Sequence, residues 1–161
     1  MTTSNFIDHD LWFAQLPGVV VAAGALITDP AGQILLVKPN YRDHWNLPGG
    51  ICEHGEPPHQ GCAREVAEEV GLDVQVGQLL AIDWAQPYGP EARPVMHFVF
   101  DGGTVSDGTG IVLQVEELDD FRFTDPGEVT GYLAPYGIRR VSAALAARAS
   151  GQTVYQPTWV S

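Results

Sequence analysis

Apolar residues fall in short runs separated by turn-forming clusters, and two stretches carry a helical period. Residues 19–28, VVVAAGALIT, make a nearly unbroken apolar run of strand length. It ends at Asp29-Pro30-Ala31-Gly32, a turn by its composition. A second apolar run at 34–37 follows at once, so the pair predicts a hairpin. The segment 40–50 contains Pro48-Gly49-Gly50, which excludes regular helix there. Residues 57–70 predict a helix, with proline near the start and Gly71 just past the end. Residues 74–84, 95–100 and 111–115 predict strands, and 121–123 a further short one. A second helix is predicted over 136–149, preceded by Pro135 and closed near Gly151. Strands lying before and between two helices predict an α/β fold in which helices pack on a mixed sheet. The domain is expected over 17–151. Residues 1–16 form a lead-in whose Phe6, Leu11, Trp12 and Phe13 can dock on it. Residues 152–161 form a tail that could extend a sheet or join a homodimer.

Composition narrows the partners. The 161 residues hold eight basic and twenty acidic side chains, a net charge of −12. Such a chain repels the phosphate backbone, so non-specific nucleic-acid binding is not expected. The longest apolar stretch, 16–27, is interrupted by Pro17, Gly18 and Gly24 and falls short of the roughly 20 residues a membrane span needs. No basic leader precedes it, and Cys52 and Cys62 are the only cysteines. A reduced, cytoplasmic protein is the expectation.

The helix at 57–70 carries the chemistry. Glu65, Glu68 and Glu69 stand at i, i+3 and i+4, inside an arc of about 100°. Cys62, Ala63, Val66, Ala67 and Val70 fall on the other side, ready to pack on the sheet. Three glutamates alone are more simply a solvated acidic face than a cation site. Their surroundings change that weighting. Gly50, Glu56 and the run Arg64-Glu65-Val66-Ala67-Glu68-Glu69-Val70-Gly71-Leu72 spell G-x5-E-x7-R-E-V-A-E-E-V-G-L. This pattern resembles the signature of the Nudix hydrolase superfamily at every fixed position. Residue frequencies would produce it by chance in on the order of one chain in ten million. The resemblance extends from about Val19 to Val129.

The resemblance implies an α/β/α sandwich around a mixed sheet and a metal-dependent hydrolase of a diphosphate linked to another moiety. By position, Glu65, Glu68 and Glu69 would bind Mg²⁺ or Mn²⁺ with the backbone carbonyl of Gly49. Arg64 would orient the catalytic carboxylate, and Glu56 would hold the geometry with Gly50 and Gly71. Glu117 in EELDDFRF is the later-loop candidate for a further metal or base carboxylate, with Glu116, Asp119 and Asp120 as competitors. The chemistry suits these residue types: cations neutralise the diphosphate and acidify a bound water, and a carboxylate takes the proton. No protein nucleophile is needed, and Cys62 reads as core.

Substrate contacts are less sharply marked. Lys38, Tyr41, Arg42, Trp84, Tyr88 and Arg93 are the candidates, each with a plainer role in packing or on the surface. His97 lies on a predicted strand as core or pocket. Arg139 and Arg140 read as solvated or paired with acids. His54 and His59 flank Glu56 without a zinc spacing. The favoured substrate is a small nucleoside diphosphate derivative such as a nucleotide sugar or ADP-ribose. Nucleoside triphosphates are the enzymatic alternative. A non-catalytic binding module is the other, disfavoured because all three helix glutamates are present.

Overall fold

The structure is a computed structural model, described over residues 8–86, 89, 92–106 and 108–158, the side chain of Thr158 excepted. After a short helix α1 (His9–Ala14) come β1 (Val20–Thr28), β2 (Ile34–Pro39), β3 (Gly49–Ile51), α2 (Pro58–Val70), β4 (Leu79–Ala85), β5 (Val95–Thr104), β6 (Leu118–Thr124), α3 (Pro135–Ser150) and β7 (Val154–Thr158). One mixed sheet runs β6-β2-β1-β5-β4-β7, with β3 pairing to β1. β1 is antiparallel to β2 and β3 and parallel to β5. Its central place explains its composition: a strand covered on both faces reads as a continuous apolar run rather than an alternating one.

The pleat sorts side chains between two cores. Ala23, Ala25 and Ile27 of β1 meet Cys62, Val66 and Val70 of α2 on one face. Leu26, Ile34 and Leu36 meet Val141, Ala144 and Ala147 of α3 on the other. The architecture is therefore the expected α/β class, a mixed sheet between helices. Both long helices begin at proline and close on a left-handed glycine, Gly71 and Gly151. At the far end of α3, Arg148 binds Asp101 at 2.7 Å and the carbonyl of Leu26, tying helix to sheet.

The structure departs from the sequence reading at several places. Residues 72–78 are irregular, so β4 starts later than expected. β3 lies in a segment the sequence assigns to no element: its two glycines disfavour a strand, and it is extended because it pairs with Ala22–Gly24 of β1. Residues 111–115 are not a strand. Their alternation arises because Ile111 and Leu113 pack on the α2-side core while Val112 and Val115 face solvent. Val112 N–H donates to Val70 O, and Gln114 N–H to Glu69 O, satisfying last-turn carbonyls of α2. The lead-in contains α1, whose Leu11, Trp12 and Phe13 are exposed; Phe6 lies outside the described residues. Within the segment set apart as a tail, β7 pairs in parallel with β4. No helix among the described residues is long and apolar enough to cross a membrane.

Candidate active site

Backbone shape at Gly49 and Gly50 sets the site. Gly49 has φ 142°, and a Cβ there would stand 2.3 Å from the carbonyl oxygen of Ala23. Only glycine fits that approach. A Cβ on Gly50 would stand 2.5 Å from the Glu65 carboxyl carbon, so β3 and α2 meet through a missing side chain. Gly49 N–H donates to Glu69 Oε2 at 2.7 Å, closing the same contact from the other side.

Arg64 organises the rest. Its Nε and Nη2 donate to the two oxygens of Glu56 at 3.0 and 3.1 Å. Nη1 donates to Glu65 at 3.0 Å and Glu68 at 2.9 Å, and Nη2 also to the carbonyl of Ile51 at 3.1 Å. The planar guanidinium can serve several acceptors in one fixed geometry, which an ammonium cannot. Glu56 also accepts from Glu53 N–H at 2.8 Å. Hydrogen bonds from Arg64, then from Glu53, hold its carboxyl below the usual carboxylate range.

The three helix glutamates do not share one solvated face, contrary to the helical-wheel expectation. Glu69 is buried, Glu65 partly so, and Glu68 exposed, while Ala67 faces solvent in place of Glu69. The Gly49 N–H makes the difference, because it offers a buried carboxylate a partner. Burial, and to a lesser degree Glu65, Glu117 and Glu68, still push Glu69 up to about 7 against the Gly49 hydrogen bond. Burial likewise raises Glu65, opposed by Arg64.

These groups open on a cleft of about 600 Å³. It runs from Glu65, Glu69 and Glu117 past the Gly49–Gly50 backbone to the sheet face covered by α3. Glu117 arrives on a turn docked by Asn40, whose N–H and Nδ2 donate to the carbonyls of Glu117 and Glu116. Among the described residues no three acidic, histidine or cysteine side chains converge into a ready-made ion cage. Arg64 engages one oxygen of Glu65 and one of Glu68, and Gly49 engages one of Glu69. The oxygens of Glu65, Glu69 and Glu117 nonetheless line one cleft, while Glu68 is exposed outside that lining. These hard oxygens fit a cation of the Mg²⁺ kind, which takes few carboxylates and completes its shell with water and phosphate. Burial raises both thiols, Cys62 to about 12, which argues against a thiolate nucleophile.

The substrate candidates divide. Tyr41 and Arg42 line the cleft, with the guanidinium 5.4 Å from the Tyr41 ring centre. Lys38 does not line it: its ammonium donates to the carbonyls of Pro39 and Arg42 and braces that turn from behind. Trp84 lies on the face of β4 opposite Asp83, away from the cleft, by strand alternation. Arg93 is exposed with its guanidinium against Gly18, outside the cleft lining. Tyr88 lies outside the described residues. None of the substrate candidates comes from α3, which supplies one wall of the cleft. Arg140 is paired with an acid, the second of its two expected roles, and the pair lies at the cleft: Arg140 lines it and binds the buried Asp83 at 2.5 Å. Tyr136, hydrogen-bonded to His44 at 2.5 Å, and His97 line it too.

Comparison with known proteins agrees with this geometry. The family model described as NUDIX domain matches residues 18–145. A "MutT-like protein" of Streptomyces ambofaciens is 30% identical over 125 residues, 77% of this chain and 75% of that one. The "Putative ADP-ribose pyrophosphatase YjhB" of Bacillus subtilis is 34% identical over 79 residues, 48% of this chain and 38% of that protein's length. A crystal structure of UDP-X diphosphatase shares the fold, with TM-score 0.73 at 20% identity, covering 94% of this chain and 76% of that one.

Proposed function

The chain belongs to the NUDIX domain family and is a hydrolase of pyrophosphate bonds, and from that premise we propose that it cleaves the diphosphate of a nucleoside diphosphate linked to a further moiety, such as a nucleotide sugar or ADP-ribose. The observation that carries this reading is the meeting of Glu65, Glu69 and Glu117 in one cleft beside the Gly49–Gly50 backbone. The family uses divalent metal ions; here Glu65, Glu68, Glu69 and Glu117, with the Gly49 carbonyl, would hold Mg²⁺ or Mn²⁺. Such an ion neutralises diphosphate charge and acidifies a bound water.

The protein's own part is positioning and proton transfer. Arg64 fixes one oxygen of both Glu65 and Glu68, so each carboxylate is pre-aimed rather than ordered at the moment of reaction. Water attacks phosphorus, the P–O bond of the bridge breaks, and a cleft carboxylate receives the water's proton. Glu56, Gly50 and Gly71 keep α2 and the loop in register. The apolar half of the cleft is where the rest of a small-molecule substrate rests. The name of the Bacillus relative supports this class, and the small acidic chain suits a cytoplasmic enzyme that takes its anionic substrate as a metal complex.

The deciding experiment is phosphate release, coupled to a phosphatase, over nucleotide sugars, dinucleotides, ADP-ribose and nucleoside triphosphates, with millimolar Mg²⁺ or Mn²⁺. Cleavage of a nucleoside diphosphate derivative into two monophosphates is expected. Preference for triphosphates would move the substrate class, and silence across the panel would refute the reading.

A further inference from the structure

The cleft has a second end with different chemistry. Strand register places His97 of β5, Asp83 of β4 and Gln156 of β7 side by side across the sheet, with Ala22 of β1 beyond His97. Paired residues share a face, and this is the α3 face. α3 brings Arg140 onto the row, its Nε on the Asp83 carboxylate and its guanidinium carbon 5.0 Å from the Tyr136 ring centre. Val20, Val95 and Val141 add apolar wall, and Ala22 leaves space above the sheet.

Two observations single this end out. His97 Nδ1 is sealed from solvent with no hydrogen-bond partner. Buried polar atoms in native proteins are almost always paired, and one that is not calls for a reason outside the fold. Burial, reinforced by the Arg140 charge, holds the imidazole down at about 3, so the ring is neutral and offers one donor and one acceptor nitrogen. The second observation is charge. Glu65, Glu69 and Glu117 crowd one end, whereas at the other Asp83 offsets Arg140 and His97 is uncharged. A phosphate with its metal suits the first end. The second suits a flat group that is polar at its edge and carries no net charge.

We propose that this second end is the recognition pocket for the substrate's neutral heteroaromatic base, and that His97 and the Asp83-anchored Arg140 determine which base is accepted. The inference rests on the hydrolase reading above and extends it from the bond that is cut to the group that is recognised. His97 reads the base edge once its ring turns the sealed Nδ1 toward the cleft, Arg140 adds guanidinium donors, and the apolar wall covers the ring face.

The test needs no metal. In EDTA, the intact protein is titrated with adenosine, guanosine, cytidine and uridine, and with ribose as the control without a base. Binding is followed by the carbon-bound imidazole proton resonances. One nucleoside is expected to bind at least tenfold tighter than ribose and to move the His97 resonances. His97→Phe should weaken that binding at least tenfold without lowering Tm, because the imidazole nitrogen it removes has no partner in the fold. Should H97F fail to fold, H97Q and the wild-type shift map decide the matter in the same way. Nucleosides binding no tighter than ribose, shifts that bypass His97, or full binding by folded H97F would each overturn the assignment. The two readings fail separately. Diphosphates cut with equal kcat/KM whatever their base, with His97 silent, remove this proposal and leave the hydrolase; nucleosides held at His97 with no diphosphate cut do the reverse.

Discussion

Replacing Gly50 with alanine separates the geometry of the site from the stability of the fold. Gly50 does not have positive φ, so alanine suits its backbone. Its new methyl would stand 2.5 Å from the carboxyl carbon and one oxygen of Glu65, about 0.9 Å inside ordinary contact. The flexible carboxylate is what yields, and in yielding it leaves the 3.0 Å hydrogen bond from Arg64. A misplacement of about 1 Å in a reacting constellation costs roughly 100-fold, or ~2.7 kcal/mol of transition-state stabilisation. The fold loses little, because exchanging glycine for alanine at a compatible position gains about 0.4–1 kcal/mol from the unfolded chain. At about 2–4 °C per kcal/mol for a domain of this size, Tm should stay within roughly 4 °C of wild type. Gly49→Ala is the control with the opposite signature. Its methyl would meet backbone, the Ala23 oxygen at 2.3 Å and the Gly24 Cα at 2.4 Å, at a φ of 142°. Neither neighbour can swing aside, so stability should fall by several kcal/mol, as expected where alanine cannot adopt the native backbone. Thermal unfolding and coupled phosphate release on the preferred substrate read both variants. G50A with undiminished kcat/KM would refute the claim that β3 aims Glu65 through a missing side chain.

Further outcomes follow from the same contacts. Glu68→Gln should lower kcat roughly 10³-fold, ~4 kcal/mol, with Tm unchanged, since Glu68 is exposed and bound to Arg64; near wild-type turnover would remove it from the catalytic set. Without metal, Glu69 protonates at about 7 when folded, above the usual 4.5. The folded state therefore binds the extra proton, and this stabilisation is complete below about pH 4.5 and lost as pH rises through 7. Tm measured in EDTA should accordingly fall less for Glu69→Gln than for wild type between pH 5 and pH 8 (~pH range set by the two pKa values). Adding millimolar Mg²⁺ or Mn²⁺ at the upper end should raise wild-type Tm through preferential binding to the folded state, and E69Q should gain less. Arg148→Met removes the pair with Asp101 and leaves the Leu26 carbonyl short of a donor; a loss of about 2 kcal/mol in denaturant unfolding is expected, with kcat unchanged.

What could be read from the sequence was whatever local spacing specifies. The prolines and glycines bounding α2 and α3 announced both helices, and the apolar runs around Asp29–Gly32 announced the hairpin. The motif from Gly50 to Leu72 announced the Arg64 network because its members lie within one helix and the loop before it. What stayed hidden depends on partners far along the chain. Glu69 is buried rather than solvated because of Gly49, twenty residues earlier, and no helical wheel contains that donor. β3 is extended because of β1. The α3 side of the cleft is the extreme case. His97, Asp83 and Gln156 become neighbours only when three strands are laid in register, and Arg140 joins them from a helix. Register is a collective property, and a slip of one residue in β5 would turn His97 toward α2 and bring its neighbour Phe98 to the cleft face. Phe98 instead packs in the α2-side core, so the apolar demand of that core aims a polar ring at the cleft. Any base specificity this protein has is thus set in part by the packing of the opposite face of its sheet.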